Sequence, residues 1–128
     1  MEIKHNVVGW FEIPTINMDR AIKFYETVFG FKIQRGKVGS LDMAWFPNVE
    51  KGMGSGGALV YDPDNFAPRD NGVLIYFTAF SGDVAVELAR VQAAGGKVIQ
   101  PKTLITKEIG YMALLLDSEG NRIALHAH

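Results

Sequence analysis

The side chains that could carry chemistry in this sequence are few. Glu12 stands in Trp10-Phe11-Glu12-Ile13-Pro14, an alternating stretch that puts Trp10 and Glu12 on one face and Phe11 and Ile13 on the other. A carboxylate beside an indole is costly to bury unless it is paired or used. Desolvation brings such a group toward the range in which it works as a general acid or base near neutral pH. The alternative is a structural carboxylate, paired with a cation or hydrogen-bonded to backbone. His126, in Arg122-Ile123-Ala124-Leu125-His126-Ala127, faces away from Ile123 and Leu125. If those two pack on a helix, His126 looks into a cleft as a surrogate metal ligand, an acid-base group or a substrate contact; otherwise it is a partly exposed strand-end histidine. Trp10, Trp45, Tyr61, Tyr76 and Tyr111 offer aromatic surface with polar handles for a small-molecule pocket, or core packing. Arg35, Lys37 and Asp42 read as a solvated hairpin face. His5 precedes the first strand and His128 ends the chain, so the histidines have no metal-ligand spacing. No Ser-His-Asp constellation is legible.

Two similar units must position these residues. The first runs as a strand from Val7 to Ile13, stopped by Pro14, then a helix capped by Asn17 and ended by Gly30. Met18, Ala21, Ile22, Tyr25, Val28 and Phe29 fall at helical spacing. Phe31 to Val38 and Leu41 to Phe46 predict a hairpin around Gly39-Ser40. A glycine-rich stretch from Asn48 to Gly57 follows; it lacks the ending of a phosphate-binding loop and leads into a strand, Ala58 to Tyr61, so it reads as a connector or lid. A polar linker from Asp62 to Gly72 separates the halves. The second unit repeats the order: strand Val73 to Ala79, a helix capped by Ser81 or Asp83 with Val84, Leu88 and Val91 buried, Gly95-Gly96, strand Lys97 to Gln100 closed by Pro101, strand Tyr111 to Leu116, a tight turn, and strand Arg122 to Ala127. Gly30 and Gly95, and Ile33 and Val98, stand at one constant spacing, the mark of a duplicated unit. The order β-α-β-β-β, twice, predicts an α+β fold with helices on one face of each sheet and the other face free to curl into a cleft. The repeat sets Trp10 and Tyr76 near that cleft. One domain is expected over residues 1–128, with modules of about 1–62 and 72–128.

Composition bounds the function classes. The sequence has 128 residues, 48% of them hydrophobic, and a formal net charge of −1. That gives no electrostatic footprint for nucleic acid or an anionic membrane surface. The absence of cysteine excludes disulfides, thiolate metal sites and cysteine nucleophiles. No apolar run reaches the roughly 20 residues of a membrane span, and the first residues lack the apolar core of a signal peptide. A cytoplasmic location is the expectation.

Three motifs together resemble the vicinal oxygen chelate superfamily, which includes glyoxalase I, bleomycin-resistance proteins and extradiol dioxygenases. They are Arg20-Ala21-Ile22-Lys23-Phe24-Tyr25 with Val28-Phe29-Gly30-Phe31; Gly95-Gly96-Lys97-Val98 with Pro101; and Asp117-Ser118-Glu119-Gly120-Asn121-Arg122-Ile123-Ala124-Leu125. The Trp-Phe-Glu-Ile-Pro opening is similar to a glyoxalase-related bacterial branch. The resemblance implies two βαβββ modules around a shared cleft. It also implies, in the metal enzymes, four His and Glu ligands whose metal acts as a Lewis acid. Carried to this sequence, those positions are Trp10, a residue within Ala58 to Tyr61, Leu74 or Tyr76, and Ala124. None is a histidine or an acid, so no metal cofactor is expected. The expectation is a small-molecule-binding protein, with metal-independent chemistry through Glu12 as an option. The rivals are a metal-dependent lyase or isomerase using Glu12 and His126 from shifted positions, and a non-catalytic interaction module. A homodimer with clefts built from both chains is also implied.

Overall fold

The computed structural model describes residues 2–128. The chain forms β1 (Trp10–Pro14), α1 (Met18–Phe29), β2 (Gln34–Val38), β3 (Leu41–Trp45) and β4 (Gly56–Tyr61). Then come β5 (Tyr76–Thr78), α2 (Val84–Leu88), β6 (Lys97–Thr106), β7 (Gly110–Leu116) and β8 (Arg122–Ala127). They make two four-stranded sheets, ordered β1-β4-β3-β2 and β5-β8-β7-β6. In each, the opening strand pairs in parallel with the closing one and the remaining pairs are antiparallel. The fold is thus α+β, two βαβββ modules each with a mixed sheet.

Local chemistry sets the element ends. The Asn17 side chain accepts from the Arg20 amide, Asp19 lies in the first turn of α1, and Gly30 closes the helix at φ 81° with its N–H on the Glu26 carbonyl. Several boundaries differ from those read in the sequence. Strand β1 begins at Trp10, and Val7 and Val8 are exposed ahead of it. The strand ends at Pro14 as expected, though Pro14 itself still pairs with Val60, because β1 is an edge and its outer side needs no amide. Pro101, by contrast, does not close its strand: β6 runs through it to Thr106 as the edge of its sheet, with register shifts along the way. Strand β2 starts at Gln34 rather than Phe31, and Phe31 and Ile33 pack against the core before it. Helix α2, capped by Asp83, ends at Leu88, so the buried Val91 is delivered by the turns that follow. Gly57 belongs to β4, and a Cβ there would lie 2.4 Å from the Phe11 ring. The glycine lets that ring lie flat on the strand.

The main core lies between the helices and the inner faces of both sheets and is built from both modules. Its centre is aromatic. Phe11 of β1 and Phe77 of β5 meet edge to face at 5.9 Å between centroids, and Tyr25 and Phe29 of α1 stand 5.6 and 5.0 Å from Phe77. Such pairs add about 0.5–1.5 kcal/mol each beyond their buried area. They hold the free edges of β1 and β5 beside one another, which is what creates a cleft. A second cluster of Met43, Ala58 and Val60, with Leu41 and Trp45 against it, covers the opposite face of the first sheet.

A second joint binds the modules through the Asp117–Asn121 turn. Glu119 reaches across to the start of α1, where one carboxylate oxygen accepts from the amides of Ile16 (2.8 Å) and Asn17 (2.6 Å). Its other oxygen accepts from the Arg20 Nε at 2.8 Å. Burial by itself would push the Glu119 carboxyl up, but the donors from Arg20, Asn17, Ile16 and Ser118 together hold it below the usual range. Asp117 accepts from the Tyr25 hydroxyl at 2.6 Å and from Asn121 Nδ2 at 3.0 Å. Here burial prevails and raises the Asp117 carboxyl despite those bonds. Burial, reinforced by Asp117, lifts the Tyr25 phenol well above its ordinary value. Asn121 completes the joint by donating to the Pro14 carbonyl at 2.9 Å.

Candidate functional site

A cleft of about 1120 Å³ opens along the adjoining edges of β1 and β5. Because it follows these edges, residues from both faces of the strands line it, Phe11, Ile13 and Phe77 among them. Trp10 and Glu12 project from β1 on the side opposite the core residue Ile13, and Tyr76 and Thr78 project from β5 on the side opposite Phe77. All four line the cleft. Trp10 and Tyr76 are 46% and 51% exposed, large for aromatic side chains on strands, so both rings are open to a ligand. The loop after β3, with Asn48, Met53 and Gly54, forms one wall, and the linker residues Arg69, Asn71 and Val73 form another. Met53 is fully exposed on that loop.

Glu12 is exposed, not buried as its neighbourhood in the sequence suggested. It accepts from the Trp10 indole Nε1 at 3.3 Å and takes part in no ion pair among the described residues. Its carboxylate is therefore available at the cleft wall, with the neighbouring indole steering it.

The other candidates lie apart. His126 shares a sheet face with Tyr76 and Ala124, since Tyr76 pairs with Ala124 and Thr78 with His126. Yet its Nε2 is engaged with the Ile109 carbonyl at 2.7 Å, its ring stands against His128, and it does not line the cleft. Trp45 lies on the same side of its sheet as Ala58, packed in the second cluster above Gly36, where a Cβ would meet the indole at 2.9 Å. Tyr61 alternates with Val60 and points to the opposite side from Trp10, pairing with Asp42. Tyr111 packs against the main core. Sequence reasoning passed over Arg122 and Arg69. Arg122 was accessible to it: it alternates with Ala124 and His126 on β8 and lines the cleft.

The strand register also tests whether the site fits a divalent metal. Trp10 stands opposite Gly56, and Glu12 opposite Ala58; across the cleft Tyr76 stands opposite Ala124. An indole, a phenol and a methyl, with the single carboxylate of Glu12 and a methyl or a bare glycine from β4, do not make a set of nitrogen and carboxylate ligands. Among the described residues no three His, Asp or Glu side chains come together as a metal site. None of the helices there is long and apolar enough to cross a membrane.

Comparison with known proteins agrees with this architecture. No curated protein matches the sequence at a significant level. Among solved structures, a glyoxalase/bleomycin resistance protein from Albidiferax ferrireducens T118 superposes with a TM-score of 0.72 at 18% identity, over 96% of this chain and 100% of its own. A glyoxylase/bleomycin resistance protein/dioxygenase domain from Frankia sp. EAN1pec gives 0.72 at 14% identity, over 97% and 98%. Glyoxalase I from Zea mays gives 0.65 at 19% identity over 92% of this chain, which spans only 44% of the maize chain. These likenesses are of fold. The sequence itself matches the description "Glyoxalase/Bleomycin resistance protein/Dioxygenase superfamily" over residues 7–125, nearly its whole length. The chain belongs to the glyoxalase/bleomycin resistance protein/dioxygenase superfamily.

Proposed function

We propose that the cleft along β1 and β5 binds a small organic molecule without a divalent metal at the four strand positions. In this reading Trp10 and Tyr76 hold the ligand's planar or apolar part, and Glu12, the one carboxylate in the lining, is the group placed to take or give a proton. The observation that carries it is the pairing of an open aromatic cleft with strand positions whose side chains do not fit a metal. Membership of the superfamily supports small-molecule binding as the general role.

The test has two parts. Untagged protein is loaded with nickel, zinc, iron and manganese, passed through gel filtration and analysed for elements; far less than one metal per chain is expected. Near-stoichiometric metal would sink the metal-free reading and favour a lyase or isomerase using Glu12 and His126. In parallel, small organic compounds are screened through tryptophan fluorescence. Only Trp10 of the two tryptophans lines the cleft, so Trp10→Phe should abolish the response of any true cleft ligand. Glu12→Gln should change affinity or turnover; if it alters only stability, Glu12 has no functional part.

We also infer that two copies of the chain associate. Met112, Leu114 and Leu116 are only partly buried on the face of the second sheet that carries Ala124. A partner covering that face would bury apolar area at about 25 cal/mol per Å². Sedimentation equilibrium at micromolar concentration should give twice the chain mass of 14.1 kDa. A single-chain mass at that concentration would contradict the dimer.

A further inference from the structure

The arginines of this chain fall into two groups. Arg20 and Arg35 are paired with carboxylates, Arg20 with Glu119 and Arg35 with Asp19 and Asp42, and Arg90 donates to the Val28 carbonyl. Arg69 and Arg122 have no carboxylate partner among the described residues, and these two line the cleft. They are also tied together: the Arg122 amide donates to the Arg69 carbonyl at 3.3 Å, and the Arg69 amide donates to Asn121 Oδ1 at 3.2 Å. One Nη of Arg122 is spent on the Gly72 carbonyl at 3.1 Å. Its Nε is buried with no acceptor, the one such side-chain atom among the described residues. That buried Nε is an unmet demand, because a buried donor without a partner costs about 1–3 kcal/mol, while the second Nη is not among the buried unpaired atoms and is the nitrogen left to face the cavity.

We propose that this end of the cleft is an anion subsite, and that the ligand is an organic acid: a planar or apolar body bearing one carboxylate, sulfonate or phosphate. The inference rests on the reading of the cleft as a small-molecule site. The acid group pairs with the guanidinium of Arg122, and Arg69 adds a second cation at the rim. The body extends along β1 and β5 to Trp10 and Tyr76. Charge supports an anion over a cation. The lining holds two arginines against one carboxylate, and that carboxylate, Glu12, already accepts from the Trp10 indole. A guanidinium nitrogen makes a charge-assisted hydrogen bond to a carboxylate, sulfonate or phosphate that is about twice as strong as a neutral one.

The experiment compares two fluorescent probes of nearly one skeleton, anilinonaphthalene sulfonate and its neutral counterpart N-phenylnaphthylamine, titrated into the full chain. The sulfonate is expected to bind about tenfold or more tightly than the neutral probe. Arg122→Gln should remove about tenfold of the sulfonate's affinity and leave the neutral probe unchanged. Arg122→Lys should restore part of the loss. Inorganic phosphate should displace the sulfonate alone. Far-ultraviolet circular dichroism checks folding, and if Arg122→Gln does not fold, the exposed Arg69→Gln should still weaken the sulfonate selectively. The anion subsite is overturned, with the cleft intact, if Trp10→Ala weakens both probes while the arginine variants change neither or both alike. Equal affinity for the two probes overturns it in the same way. If Trp10→Ala affects neither probe, the cleft reading fails and takes the subsite with it.

Discussion

Truncating Tyr25 to alanine should lower the stability of the fold by about 4 kcal/mol or more. Tyr25 is fully buried, and its ring lies 5.1 to 6.1 Å, centroid to centroid, from those of Phe24, Phe29, Phe46 and Phe77. Removing it opens a cavity where α1 of the first module meets β5 of the second, a place that neither sheet can collapse to fill. It also takes the donor from Asp117, whose carboxyl burial already raises. Those are separable costs. Tyr25→Phe keeps the ring and loses only the 2.6 Å hydrogen bond, so it should cost about 1–3 kcal/mol. Against a typical total of about 5–15 kcal/mol, the alanine variant sits near the edge of folding. Urea unfolding followed by circular dichroism measures both. A loss below about 1 kcal/mol for the alanine variant would mean that the aromatic joint between the modules is not what holds them together.

The fold was largely legible because its signals are local and repeated. The Asn17 cap, the apolar spacing from Met18 to Phe29 and Gly30 specify α1 with no help from the rest of the chain. The duplicated order then implies the second sheet. The errors fell where a neighbour decides. Whether Pro101 ends a strand depends on whether that strand is an edge, which is a property of the sheet and not of the segment. Residues 48–57 read as a loop through their glycines, yet Gly56 and Gly57 are strand, and Gly57 is there to admit the Phe11 ring. The site divides in the same way. Alternation along β1 and β5 placed Trp10, Glu12 and Tyr76 on one face, and they line the cleft, but so do Phe11, Ile13 and Phe77 from the other, because the cleft follows the strand edges. Alternation also shows that Tyr61 points away and that His126 faces the cleft side, but it does not show that the Ile109 carbonyl holds the imidazole. Nor could it show Glu12 to be exposed, since exposure depends on how far the loop and linker walls stand from the strand. Arg69 was the least legible: it lies in a polar linker, and only the linker's bonds to the Asn121 turn bring it to the cleft.

Glu119→Ala should cost about 2–4 kcal/mol, because it removes the acceptor of two backbone amides and an ion pair in one step. The Glu119 side chain is completely buried, while Arg20 keeps half of its side chain in water. The amides of Ile16 and Asn17 lose their acceptor at the entry to α1, and the second module loses its grip on the first. The pH dependence separates this role from mere packing. The folded Glu119 carboxyl lies below its ordinary 4.5, so its contribution is fully present above that value and is lost as pH falls through the lower folded value. Asp117 acts with the opposite sign. Its folded carboxyl lies above 3.8, so acidification through that higher value favours the folded state, and the two groups partly offset one another as the solution is made acidic. Removing Glu119 leaves only the Asp117 component of the pair. The variant should therefore be much less stable than the parent near neutral pH, and the gap should close in acid as the parent protonates Glu119. Urea midpoints at about pH 7 and about pH 3 measure this closure. A gap of equal size at both values would show that the Glu119 charge has no part in joining the modules, and that the cost of the substitution is one of shape alone.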